Sequence, residues 1–257
     1  MANFNDYSQS YKNIRFERRD GIIEMAIHRN GGPAVWDFAP GGIHDQLGRA
    51  FHDIGDDREN RVVIFTGTGD VFLEDLDMGA EGAPRDMPPA YWDVIYREGK
   101  DLIQNLLNIE VPIIGAVNGR AFIHAELITM SDIVLAADHA SFADKVHFEV
   151  GSVPGDGTHV WWPLVLGPNR GRSFLLTGEE ISATEALRLG LVKEVLPASE
   201  LRARAWEIAK TLAAKPLLTL RYTRVALTQQ LKKRMLDELG YGLLLEGMSI
   251  NDLLRGS

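Results

Sequence analysis

Val62-Val63-Ile64-Phe65-Thr66-Gly67-Thr68-Gly69-Asp70 is the stretch that decides how this chain folds. Its unbroken apolar run, with no polar alternation, is what a strand buried on both faces requires, and such strands belong to parallel sheets covered by helices. The glycine-rich turn that ends it lacks the Gly-Lys-Ser/Thr ending of a phosphate loop and reads as a strand-ending turn. A second run of the same kind, 111–117, closes on Asn118-Gly119. Before the first, 44–54 sets Leu47, Ala50, Phe51 and Ile54 on one side of a helix, and between the two, 91–107 predicts a long amphipathic helix. Upstream, 14–19 and 22–28 are short strands joined by the hairpin signal Asp20-Gly21, and the loop 30–33 leads to Val35-Trp36.

The segment 79–89 reads as a mobile loop. Further along, 127–130 predicts a short helix, and 133–137 and 140–143 predict strands. The remainder reads as helices. One spans 160–166, interrupted by Pro163, with Gly167-Pro168 as a stop; the next spans 184–189 and ends at Gly190. Then come 201–214 and 217–254, the last broken around Gly240 and Gly242. Alternating strands and helices followed by helices alone predict an α/β fold with a largely parallel sheet. The simplest division is a core domain over 1–182 and a helical region over 183–257. No internal repeat, low-complexity tract or long linker is visible.

Composition narrows the function. A net charge of −9 over 257 residues argues against a nucleic-acid partner and does not favour an anionic membrane surface. With no cysteine there is no thiolate nucleophile, disulfide framework or Cys-ligated metal, which fits a cytoplasmic protein. No signal peptide is expected, because the N-terminus has neither a basic nor an apolar region. No apolar run approaches the roughly 20 residues of a membrane span.

The chemistry-bearing stretch is 143–162, A-D-K-V-H-F-E-V-G-S-V-P-G-D-G-T-H-V-W-W. His147 stands before a Gly/Pro turn that contains Asp156, so a base and its orienter can meet across a rigid loop. A purely structural His–Asp pair is the competing reading. Seven histidines raise the question of a metal, yet no His-Glu-x-x-His or close-spaced ligand pattern is present. His28, His52, His139 and His159 suggest no role beyond surface or core packing.

Several stretches together resemble the crotonase (enoyl-CoA hydratase/isomerase) superfamily. They are V-V-I-F-T-G-T-G-D-V-F at 62–72, V-P-I-I-G-A-V-N-G-R-A at 111–121, M-S-D-I-V-L-A-A at 130–137, G-S-V-P-G-D-G at 151–157, and the long run from Arg170 to Pro197. The resemblance implies a crotonase-like β-β-α superhelical spiral core with a helical C-terminal trimerisation region, hence a homotrimer or dimer of trimers. Members that act on CoA thioesters form an oxyanion hole from backbone N–H groups in an Ala-Gly-Ala-Asp segment and a three-glycine run. Here those places hold Glu74-Asp75-Leu76-Asp77 and the shorter Phe122-Ile123-His124-Ala125-Glu126. A hydratase glutamate is replaced by His147.

These departures resemble the β-diketone hydrolase branch of that superfamily, the 6-oxocamphor hydrolase type. The positions matching that branch are Trp36, His44, His124, His147, Asp156 and Glu246. The implied reaction is retro-Claisen hydrolysis of a cyclic 1,3-diketone to a keto acid. It needs no metal or organic cofactor, because the second carbonyl is the electron sink. In this reading a neutral His147 is the general base, Asp156 fixes its tautomer, and His124 with the Trp36 indole holds the enolate oxygen. Glu246 and His44 tune the site or relay a proton, and Phe122, Phe148 and Trp161 wall the pocket. For Trp36 a packing role, and for Glu246 a solvent-facing helix position, are the competing readings. At the level of the whole protein the alternatives are a CoA-thioester hydratase, isomerase or hydrolase, and a non-catalytic trimeric scaffold.

Overall fold

A short helix α1 (Phe4–Tyr7) precedes the hairpin that Asp20-Gly21 demands, with β1 (Ile14–Arg19) and β2 (Ile22–Ile27) antiparallel and Arg19 opposite Ile22. Both turn residues have positive φ, 52° and 75°, the backbone of a type I′ turn. The computed structural model describes residues 1–81 and 87–255, so part of the expected 79–89 loop lies outside the described residues.

The chain continues with β3 (Ala34–Trp36), α2 (Ile43–Asp56), β4 (Val62–Thr66), β5 (Val71–Leu76), α3 (Pro89–Asn108), β6 (Ile113–Val117) and β7 (Arg120–Ala121). Next come α4 (Ala125–Thr129), β8 (Ile133–Ala137) and β9 (Ser141–Phe142). A 3₁₀ turn at Phe148–Val150 leads to α5 (Thr158–Val165), α6 (Pro168–Thr177), β10 (Ile181–Ser182), α7 (Ala183–Leu189) and β11 (Glu194–Leu196). The last two elements are α8 (Ala198–Ala213) and α9 (Leu217–Arg255).

Two sheets result. One has the order β1-β2-β4-β6-β8-β11 and is parallel from β2 onward; the other runs β10-β9-β7-β5-β3. The chain alternates between them. β4, β6 and β8 each lie in the first sheet and are followed by a short strand in the second, and helices α2, α3 and α4 link successive turns. This is a structural repeat, which the sequence reading did not find. Its second strands are short or partly polar and carry no clear periodic signature. The α/β spiral of the crotonase class is therefore the observed architecture.

The core lies between the sheets and under the helices. Buried side chains from α2 (Leu47, Phe51), β4 (Phe65), β5 (Phe72) and α3 (Leu106) join one cluster. Each such burial contributes roughly 1.5–3 kcal/mol.

Two boundaries differ from expectation. Gly167-Pro168 stops α5 as expected, but Pro168 then opens α6, where its missing N–H is harmless. The helix expected to break at Gly240 and Gly242 continues unbroken. These glycines serve contact instead. A Cβ on Gly240 would lie 2.9 Å from the Tyr96 hydroxyl oxygen, and one on Gly242 would lie 2.2 Å from the Gly155 carbonyl oxygen. The roughly 1 kcal/mol that each glycine costs a helix is offset by this close approach. No helix among the described residues is long and apolar enough to cross a membrane.

Candidate active site

The segment after β7 is tied to the second sheet, because the amides of Phe122 and Ile123 both donate to the Leu73 carbonyl. The next residue, His124, has φ 47° and ψ 43°, the left-handed region. Glycine would take that conformation freely. A side chain there costs on the order of 1 kcal/mol and persists only where the surroundings impose it. The His124 ring is buried against Trp36, with centroids 4.0 Å apart, and its Nδ1–H donates to Glu126 Oε1 at 3.0 Å. Trp36 ends β3, opposite Leu76 of β5.

The segment after β9 runs beside the first. Ala143 N–H donates to Ala121 O and Lys145 N–H to Phe122 O. This pairing places His147, 3% exposed, with its ring 5.7 Å from that of His124. His147 Nδ1 lies 2.8 and 3.0 Å from the carboxylate oxygens of Asp144. Its Nε2 lies 3.4 Å from Asp156 Oδ2 and 3.9 Å from Glu246 Oε1. Asp156 was expected to fix the tautomer of His147. In the structure Asp144 lies on the Nδ1 side, since it shares the sheet-tied segment, while Asp156 arrives from the later turn on the Nε2 side.

Asp156 instead stands between the two rings. Its Oδ2 is 2.8 Å from His124 Nδ1, but that N–H is directed to Glu126, so the contact is ionic. Both Asp156 oxygens, Glu246 Oε2 and Trp36 Nε1 are buried without a hydrogen-bond partner among the described residues. Glu246 reaches this point because α9 crosses the turn at Gly155.

Charge follows from these neighbours. Burial opposes a charged His124, but Asp156 and Glu126 outweigh it and hold the ring up at about 10. His147 is likewise opposed by burial and yet held well above its ordinary range by Asp156 and Asp144. Burial pushes Asp156 up, and His147 and His124 more than reverse it, leaving it well below the carboxylate range. Glu246 is pushed up to about 8 by burial and by the Asp156 charge. Glu126 is raised for the same two reasons, against the pull of His124. These neighbours favour the protonated forms of His124, His147 and Glu246 and the ionised form of Asp156. The carboxylates around the ring favour its protonated form, whereas the expectation from the sequence was a neutral His147.

These groups close one end of a cavity of about 300 Å³, walled by Trp36, Phe38, Leu76, Trp92, Leu102 and Leu243 among others. His44 also lines it, 4% exposed on the first turn of α2, with Nδ1 3.1 Å from Glu98 Oε2. No Lys or Arg among the described residues lines this cavity. The expected wall residues Phe122, Phe148 and Trp161 are not part of the lining. Phe122 sits where its backbone joins the sheet, Phe148 is 52% exposed on the 3₁₀ turn, and the Trp161 indole donates to Thr129 Oγ1 at 2.9 Å. Asp144, Glu98, Phe38 and Trp92 were not singled out beforehand. The three-residue spacing of Asp144 and His147 was the one available hint.

Sequence spacing offered no metal-ligand pattern, but among the described residues the fold assembles two. His124, Glu126 and Asp156 form one set, and His147, Asp156 and Glu246 the other, with the ligand atoms of each set within 4.8 Å of one another. Both can hold a cation by geometry, and both coincide with the catalytic candidates.

A two-sheet spiral whose site lies at the start of α4 and in the turn before α5 defines the crotonase class of enzymes. The family model described as enoyl-CoA hydratase/isomerase matches residues 17–241, and the chain belongs to that family. It is similar to a solved β-diketone hydrolase from the cyanobacterium Anabaena sp. PCC 7120 bound to (S)-3-oxocyclohexyl acetic acid, at 49% identity and TM-score 0.92, over 96% of this chain and 98% of that one. An enoyl-CoA hydratase/isomerase from Mycobacterium paratuberculosis is 25% identical with TM-score 0.84, over 96% and 98% of the two chains. A carnitinyl-CoA dehydratase from Salmonella arizonae is 35% identical over 78% of this chain and 74% of its own.

Proposed function

We propose that this protein hydrolyses a carbon–carbon bond of a cyclic 1,3-diketone, without a cofactor, to give a keto acid. One observation carries the reading. Among the described residues, an unpartnered donor, Trp36 Nε1, and unpartnered acceptors on Asp156 and Glu246 all meet one apolar cavity lined by no Lys or Arg. A neutral substrate with carbonyl acceptors, together with a water, complements that set.

The steps balance. Asp156 holds the water. His147, once it has lost its Nε2 proton, takes one proton from that water, and the hydroxide adds to one carbonyl. The carbon–carbon bond breaks, and its electrons move to the other carbonyl as an enolate. Trp36 and protonated His124 donate to that oxygen. Glu246 protonates the enolate carbon, and the proton on His147 then returns to Glu246. The sum is diketone plus water to keto acid. The similarity to the Anabaena β-diketone hydrolase supports this reading.

A CoA-thioester reading is favoured by the 35% identity to carnitinyl-CoA dehydratase. Three features weigh against it. No Lys or Arg among the described residues lines the cavity to meet a CoA phosphate, His124 replaces glycine, and the amide of Asp77, in the stretch that would supply an oxyanion donor, donates to the Trp36 carbonyl at 2.8 Å. The test is a panel of enolisable cyclic 1,3-diketones beside crotonyl-CoA and carnitinyl-CoA. The expected result is loss of diketone ultraviolet absorbance, a product heavier by one water, and the same rate with a chelator present. Turnover of either thioester with none on the diketones would overturn it.

A further inference from the structure

The carboxylate of Asp144 is 4% exposed, and both its oxygens lie on His147 Nδ1 at 2.8 and 3.0 Å. Among the described residues no Lys or Arg pairs with it, and its one other hydrogen bond is from the Val146 amide at 3.4 Å. A buried carboxylate is costly unless a partner compensates it, and here that partner is the His147 ring. Its own position is rigid. The residues on either side, Ala143 and Lys145, are bonded through their amides to Ala121 and Phe122. The same stretch of backbone that carries His124 therefore also sets the carboxylate behind His147.

We propose that Asp144 is a positioning residue for His147. By accepting the Nδ1–H it holds the neutral ring in the Nδ1–H tautomer, and it turns the Nε2 lone pair toward Asp156, Glu246 and the cavity. Free imidazole gives no such assurance, because the proton can sit on either nitrogen. With the proton on Nε2 the ring could not accept from water on the cavity side. This inference rests on the diketone reading for its kinetic consequence, but not for the pairing itself.

Four groups face His147. Asp144 comes from the ring's own segment, Asp156 from the turn before α5, Glu246 from α9, and His124 from the start of α4. Removing Asp144 leaves Asp156 as the nearest charge and takes away one of the two anions that favour the protonated ring.

The test is nitrogen-15 NMR of the full-length protein with labelled histidine, on wild type, Asp144→Asn and Asp144→Ala, with His147 assigned from the resonance lost in His147→Gln. Neutral His147 in the wild type should show Nδ1 protonated and Nε2 bare. Both Asp144 variants should shift population to Nε2–H and titrate at lower pH. In the diketone assay kcat should fall about 100-fold or more with KM within about threefold, and the acid limb of kcat/KM should move down. Asp144→Glu should recover part of kcat. An Nε2–H tautomer in the wild type overturns the proposal, as does an unchanged tautomer and titration in the isosteric Asn variant. If the wild type turns over no diketone, the function proposed above fails, and the NMR result still decides the pairing.

Discussion

His124 and His147 offer the same chemistry built in two ways. Each has a private carboxylate on Nδ1, Glu126 for the first and Asp144 for the second, and both share Asp156. His124 is fixed by its backbone. Its left-handed conformation follows two amides anchored on Leu73, and its ring lies against Trp36. His147 is fixed by its side chain, and its free nitrogen faces carboxylates from two separate elements. A ring locked against an indole suits a stationary donor. A ring whose Nε2 meets two carboxylates suits proton traffic. One residue type thus takes different roles according to which part of it the fold constrains.

The largest expected effect tests that division. His147→Ala should lower kcat by about 10³-fold or more, since it removes the base. His124→Ala should lower it by about 10²-fold, the equivalent of about 3 kcal/mol for one oxyanion donor. Steady-state kinetics on a turned-over diketone would reveal the reverse order, and with it exchanged roles.

Glu246 sharpens the comparison on the His147 side. In the proposed mechanism Glu246 donates a proton and so acts below about 8, and His147 acts only after losing its proton. The rate should climb above neutral pH and then fall as Glu246 ionises; Glu246→Gln should abolish that fall and cost about tenfold in kcat. Stability carries a matching sign. Glu246 has a folded value of about 8 against an ordinary 4.5, so the folded state holds an extra proton between them. Its contribution is full below 4.5 and is lost as pH rises toward 8. Chemical denaturation at two pH values, one near 6 and one near 8.5 (roughly either side of the folded value), should show a smaller decline in the Gln variant.

The smallest effect tests the His124 side. His124→Gly should be more stable than His124→Ala by on the order of 1 kcal/mol, because only glycine occupies the left-handed conformation freely. Neither should regain activity. Equal melting temperatures would mean that the backbone relaxes there.

What the sequence disclosed follows the same contrast between local and assembled features. Strands β4 and β6 were legible because a strand buried on both faces is a continuous apolar run. Strands β5 and β7 were not, because V-F-L-E-D-L carries its polar residues at one end and a two-residue strand has no period, whereas β9 lies inside the strand expected over 140–143. The α9 glycines read as a break because their neighbours across the fold are invisible in one dimension. In the site, His44, His124, His147, Asp156 and Glu246 could be named from the resemblance but Asp144 and Glu98 could not, and which nitrogen of His147 each carboxylate meets depends on Ala143 and Lys145 pairing beside β7. Phe148 and Trp161 looked like walls because they are large and nearby in sequence. Trp92 of α3 and Leu243 of α9 form the wall instead.

The crossing of Gly155 and Gly242 has a consequence in time as well as space. Contacts between distant segments form late in folding, after the cost of closing the intervening loop has been met. Asp144 and His147 are neighbours in the chain and come together early. Asp156 and Glu246 meet only when the last helix seats its glycine on the turn. A folding chain should therefore hold its Asp144–His147 pair before it holds Glu246, and the proposed site is complete only at that final docking step.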